Sequence, residues 1–216
     1  MSKGKKIIIA IIVIAVAILT VVKCVQNERA NPSVADKPII YLYPEETTEL
    51  TVKLGNAENL TAFYPDYEDG WTVTAEPDGT LTDASGREYY GLYYECKNIL
   101  CHRDITEGFV VEREDIKPFL EEKLAILGLT DKEAEEFIIY WLPRLEKTPY
   151  VAVRFQTADE IEANMPLIIS EEPNTLIRIM MEWKGLDKSI EIPEQKLEQA
   201  NRSGFTVVEW GGTEIE

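Results

Sequence analysis

The sequence has only one histidine and three cysteines in its 216 residues. A histidine-rich metal centre within one chain is therefore excluded, and a Ser-His-Asp triad would have to use His102, which no serine motif supports. Gly-x-Ser-x-Gly, His-Glu-x-x-His and Cys-x-x-Cys are all missing. Gly211-Gly212 near the C-terminus has no helix after it, so it is no phosphate cradle. No cofactor is expected. Positive charge is scarce beyond residue 29: residues 30–216 carry 17 basic against 38 acidic side chains, a net of −21. Such a surface argues against nucleic acid or an anionic membrane face as a ligand.

The long apolar run is confined to the N-terminus. Ile7 to Val22 holds no charge and only Thr20 as a polar residue. With Lys6 and Lys23 snorkelling and Val25 adding length, residues 7–25 are just sufficient for a transmembrane anchor. Val22-Lys23-Cys24-Val25 makes a poor cleavage site, so an uncleaved signal-anchor is favoured over a removed signal peptide. Lys3, Lys5 and Lys6 place the tail, residues 1–6, in the cytoplasm. The expected organisation is then a linker over 26–37 and a globular domain over 38–212 outside the cytoplasm, at the cell membrane.

Within that domain β signals dominate. Ile39 to Tyr43 is a short apolar-aromatic run, read as a buried strand. Leu50, Val52 and Leu54 alternate with polar residues, and Leu60–Tyr64 reads as a further strand. Trp71, Val73 and Ala75 alternate with threonines, and two turn signals, Pro77-Asp78-Gly79 and Asp83-Ala84-Ser85-Gly86, mark a meander. The tyrosines at 89, 90, 93 and 94 read as sheet packing or as a carbohydrate-stacking surface. Helical spacing takes over from Ile116: Phe119, Leu120, Leu124 and Leu127 form one stripe. Thr130-Asp131-Lys132-Glu133 is a capping box that opens a second, running through Phe137 and Trp141. Strand patterns return at Val151–Phe155, Leu167–Ile169, Ile177–Trp183 and Phe205–Trp210. The expected fold class is α+β: an antiparallel β-rich domain with an inserted αα-hairpin at about 115–146, preceded by one N-terminal transmembrane helix. Two lobes, 38–111 and 148–212, joined by the helices, are one arrangement of it.

Cys96-Lys97-Asn98-Ile99-Leu100-Cys101-His102-Arg103 concentrates the rare residues. The spacing Cys-x₄-Cys-His fits no standard zinc pattern, and a redox pair would want Cys-x-x-Cys at a helix start. Outside the cytoplasm the expected fate of Cys96 and Cys101 is a disulfide closing a small loop, with no metal bound. Among many carboxylates, Glu95 after Tyr93-Tyr94 and Glu209 between Val208 and Trp210 are the candidate general acids, since apolar surroundings raise a carboxyl pKa. The competing reading is a salt-bridged carboxylate paired to Arg154 or Arg178.

Four stretches carry a resemblance: Lys37-Pro38-Ile39-Ile40-Tyr41-Leu42-Tyr43-Pro44, Asp69-Gly70-Trp71-Thr72-Val73-Thr74-Ala75, Phe137-Ile138-Ile139-Tyr140-Trp141-Leu142-Pro143, and Gly204-Phe205-Thr206-Val207-Val208-Glu209-Trp210-Gly211-Gly212. Together they resemble a mainly bacterial family of uncharacterised proteins, often with an N-terminal anchor or signal. The similarity covers about residues 37–212, transfers no catalytic residue, and does not include the Cys96–Cys101 stretch. The expectation is a membrane-anchored extracytoplasmic binding or structural protein of the cell envelope. Its partners would be the membrane, through the N-terminal segment, and a protein or polysaccharide ligand. The alternative is a carboxylate-dependent hydrolase of envelope polymers.

Overall fold

The structure, a computed structural model, describes residues 31–215. The expected tail, the anchor over 7–25 and the start of the linker lie outside these residues. Among the described residues no helix is long and apolar enough to cross a membrane.

Two sheets and a helical hairpin make three layers. The large sheet holds β1 (Asn31–Tyr43), β3 (Leu60–Tyr64), β7 (Leu92–Cys101), β8 (Phe109–Glu112), β9 (Tyr150–Phe155), β11 (Thr175–Leu186) and β12 (Thr206–Glu214), in the order β3-β7-β1-β12-β11-β9-β8. The small sheet holds β2 (Thr48–Leu54), β4 (Trp71–Ala75), β5 (Leu81–Thr82), β6 (Glu88–Tyr89) and β10 (Leu167–Ile169), in the order β10-β2-β4-β5-β6. Helices α1 (Ile116–Ile126) and α2 (Asp131–Leu145) cover one face of the large sheet, and the small sheet covers the other.

The central strands read as unbroken apolar runs because both of their faces are buried. Along β1, Ile39 and Tyr41 pack under the helices with Phe137, Trp141 and Trp210. The intervening Ile40 and Leu42 pack against Leu50, Val52, Trp71 and Val73 of the small sheet. β12 behaves alike, with Val208 and Trp210 on the helix side and Val207 on the other. The helices follow their apolar period. Thr130 accepts from the Glu133 amide and the Glu133 side chain returns to the Thr130 amide, so the expected capping box opens α2. Gly128 adopts φ +94° between the helices, where a side chain would be strained. A short α3 (Ala158–Asn164), which the periodicity did not show, caps the gap between the sheets beside Met165.

The fold expectation is corrected in four respects. The large sheet is not antiparallel throughout: β11 and β12 run parallel, from Thr175↔Thr206 to Trp183↔Glu214. Residues 187–205 return the chain to the end where β11 began, as a parallel pair requires. The two stretches 38–111 and 148–212 are not lobes, because β1 lies between β7 and β12 and joins them in one sheet. The linker is shorter than 26–37, since β1 already pairs with β7 at Asn31↔Cys101 and Ser33↔Ile99. The transmembrane helix expected ahead of this domain is no part of the described fold.

Gly212 marks a tight contact between sheet and helices. A Cβ there would stand 2.7 Å from the Met181 carbonyl oxygen and 2.8 Å from the Trp141 ring. Neither neighbour has room to retreat, since Trp141 and Met181 are fully buried. Gly212→Ala should cost about 1–3 kcal/mol through overpacking. In urea denaturation the midpoint falls while the slope is unchanged.

Candidate functional site

Two buried carboxylates set apart what is structural. Glu209, on β12 and wholly buried, receives the Tyr94 hydroxyl at 2.6 Å and the Arg178 Nε. Arg178 also donates to Glu162 at 2.8 Å and to the Met165 carbonyl at 2.7 Å, tying β11 and β12 to α3. Glu209 is therefore a paired internal group with no route to a substrate, and it drops out as a general acid. Glu182, on β11 and equally buried, accepts from Arg154 at 2.9 Å, from Gln156 at 2.8 Å and from the His102 backbone amide at 3.1 Å. His102 lies over it, with Nδ1 at 3.1 Å from Glu182 and Nε2 at 3.5 Å from Glu160.

The expected disulfide is corrected as well. Cys96 and Cys101 are both thiols, both buried. They lie on one strand, β7, opposite Asn31 and Ala35 of β1, and four residues of β1 span about 13 Å at about 3.3 Å per residue, even with the bulge at Asn98. A disulfide needs Cα atoms within about 7 Å. Cys96 packs between the sheets, and Cys101 packs with Ile105, Ala152 and Ile215. Burial, then the Glu209 charge, pushes the Cys96 thiol up to about 12, and burial with the Glu182 charge raises Cys101. No group of three His, Cys, Asp or Glu side chains among the described residues is arranged to hold a metal ion.

The open chemistry lies on the helix face, where β1 emerges from beneath α2. Pairing of β1 slips by one residue between Asp36 and Ile39 against β12, and between Ala35 and Ile39 against β7. This bulge re-aims its residues. Lys37 takes φ +57°, of order 1 kcal/mol of strain for a non-glycine residue. Its ammonium reaches Glu136 of α2 at 3.3 Å and lies 5.8 Å from the ring centres of Tyr140 and Trp210. Below it opens a cleft of about 500 Å³. Lys37, Ile39 and Tyr140 form one wall, Tyr64, Arg87 and Tyr89 the other, and Tyr93 and Glu95 lie between. Tyr90 links this cleft to a smaller hollow of about 80 Å³ lined by Tyr41, Tyr43 and Glu136.

Hydroxyl–carboxylate bonds fix the rings. Tyr41 and Tyr90 donate to the two oxygens of Glu136 at 2.7 and 2.9 Å, and Tyr93 donates to Glu95 at 2.6 Å. Burial, the Glu136 bond and the Glu136 charge push the Tyr90 phenol up to about 12. Asp36 adds a second carboxyl beside Glu95, because its neighbour Ala35 pairs with Cys96 across the strands. Burial and then the Glu95 charge raise the Asp36 pKa. Of the sequence candidates, then, Glu95 lies in the cleft and Glu209 does not. Tyr89, Tyr90 and Tyr93 line it, while Tyr94 faces the other way onto Glu209. Lys37, Asp36, Glu136, Tyr64 and Tyr140 were missed, and only the fold assembles them.

The pH dependence of stability comes from the buried acid instead. Burial opposes the charge on Glu182, yet the bonds from His102, Gln156 and Arg154 prevail and lower its pKa from 4.5 to about 2. A depressed carboxyl contributes stability above its unfolded pKa and loses it as pH falls through the folded one. The contribution is on the order of 3 kcal/mol. Between pH 5 and pH 2 the unfolding free energy should fall by this order, and in Glu182→Gln that component of the acid slope should vanish.

No family model and no solved structure matches the chain. Among curated proteins it is 35% identical over 95 residues to the "Uncharacterized protein in bglA 3'region" of Butyrivibrio fibrisolvens. The match takes in 43% of this chain and 97% of that protein. This chain belongs to the same family as that Butyrivibrio protein.

Proposed function

We propose that the protein is a binding domain of the cell envelope, held at the membrane by the apolar segment 7–25, that takes a polysaccharide in its tyrosine cleft. One observation carries the reading: seven of the chain's ten tyrosines line the cleft and the hollow that share Tyr90. Tyr64 and Tyr90 keep half or more of their surface exposed, although each ring is large and apolar. Aromatic faces flanked by hydrogen-bonding groups fit the apolar faces and hydroxyl edges of sugars. Carboxylates already fixed by Tyr90 and Tyr93 retain lone pairs for sugar hydroxyls. A second reading, hydrolysis with Glu95 as a catalytic residue, is favoured by the carboxyl of Asp36 beside it.

Binding of soluble oligosaccharides to the detergent-solubilised full chain, read by biolayer interferometry, tests both. Tyr90→Ala and Tyr64→Ala should each weaken binding about tenfold, as the loss of one ring contact implies. A wild-type protein that binds no envelope oligosaccharide would sink the proposal. Release of new reducing ends by wild type but not by Glu95→Gln would establish the second reading. Its absence would leave binding alone.

A further inference from the structure

Lys37 and Arg87 line the same cleft from opposite walls, in a domain where acids outnumber bases by more than two to one. We infer that the cleft selects an anionic glycan, with these two cations reading its carboxylate or phosphate groups. The inference rests on the polysaccharide reading above and adds its charge class.

The conformation of Lys37 supports a recognition role. A lysine at this point of a regular strand would alternate to the face opposite Asp36. The extra residue of the bulge turns it instead toward α2 and the cleft, at φ +57°, a conformation lysine rarely adopts. Strain of this kind concentrates where a side chain must be held for a ligand. Its ammonium has three donors, and Glu136 takes one of them at 3.3 Å. About a quarter of the side chain remains exposed.

Arg87 presents the complementary wall. Its guanidinium lies 6.0 Å from the Tyr64 ring centre and makes no salt bridge among the described residues. A guanidinium at this distance from an aromatic ring and without a salt bridge keeps its N–H edges available for a planar carboxylate or a phosphate. Two acids share the lining. One oxygen of Glu95 is taken by the Tyr93 hydroxyl, and Glu88 is exposed, where water screens it. The four charged residues of the lining thus balance, with Asp36 and Glu136 standing behind them, on a domain of net −21, so Lys37 and Arg87 are the groups to which a negative ligand would be drawn.

The test compares three short ligands on the solubilised full chain: trigalacturonate, its neutral galactose counterpart of the same linkage, and a glycerol-phosphate trimer. Wild type should bind at least one of the two anions about tenfold more tightly than the neutral sugar, the magnitude of one charge-assisted contact. Which anion is preferred distinguishes carboxylate from phosphate. Arg87→Gln, an exposed change that leaves the core alone, and Lys37→Gly, which accepts the positive φ, should each weaken anion binding more than neutral binding, so that the roughly tenfold ratio between them falls toward one. Equal binding of neutral and anionic ligands by wild type, or a preference that survives in both variants, overturns the charge class and leaves the polysaccharide reading standing. Failure of all three ligands to bind overturns both.

Discussion

Everything in this domain depends on β1 being buried on both sides. Its alternate residues serve two cores, Ile39 and Tyr41 beneath the helices and Ile40 and Leu42 against the small sheet. The strand also joins the first and last parts of the chain, since its two neighbours are β7 and β12. A one-residue slip here would exchange the two cores wholesale. The slips that do occur lie N-terminal to Ile39, between Ser33 and Ala35 and between Asp36 and Ile39, outside the stretch that serves the two cores. The cleft lies beside that irregular stretch, with Lys37 and Ile39 in its lining.

The same double burial explains the internal ion pairs. β11 and β12 are too deep for a carboxylate to reach water, so Glu182 and Glu209 each need an arginine and further donors. Such pairs add little net stability over apolar packing, but removing one partner leaves a buried charge and is costly. Both arginines also bond a glutamate of α3, Arg154 to Glu160 and Arg178 to Glu162. The pairs thereby fix the position of a helix too short to hold itself.

The elements governed by local rules were legible in the sequence. The apolar run Ile39–Tyr43, the turns at Gly79 and Gly86, the Thr130 cap and the stripe through Phe137 and Trp141 each follow from short-range periodicity or turn chemistry. α3 was legible too and went unread: Thr157-Ala158-Asp159-Glu160 carries the same capping signature as Thr130 to Glu133. The parallel pairing of β11 with β12 was not, because alternation along a strand says nothing of its neighbour's direction. Nor was the separation of Cys96 from Cys101. Closeness in sequence suggests a small loop, whereas an extended strand moves five residues far apart. Glu95 and Glu209 looked alike, each an acid among aromatics, and only strand order decides that one faces a cleft and the other an arginine.

Hydrogen bonds to two carboxylates hold the side chains around the cleft. Tyr41 and Tyr90 converge on one carboxylate, Lys37 bonds the same group, and Tyr93 is held by Glu95. Each bond restrains a side chain whose rotamer freedom is otherwise worth about 0.5–1.5 kcal/mol. Glu136 is the point of attachment, and it stands on α2, whose position is set by Trp141 against Gly212. The contact that excludes a side chain at Gly212 and the geometry of the tyrosine wall are therefore one mechanical chain. Loosening the helix against the sheet would move Glu136, and with it Tyr41, Tyr90 and Lys37, without touching the cleft itself.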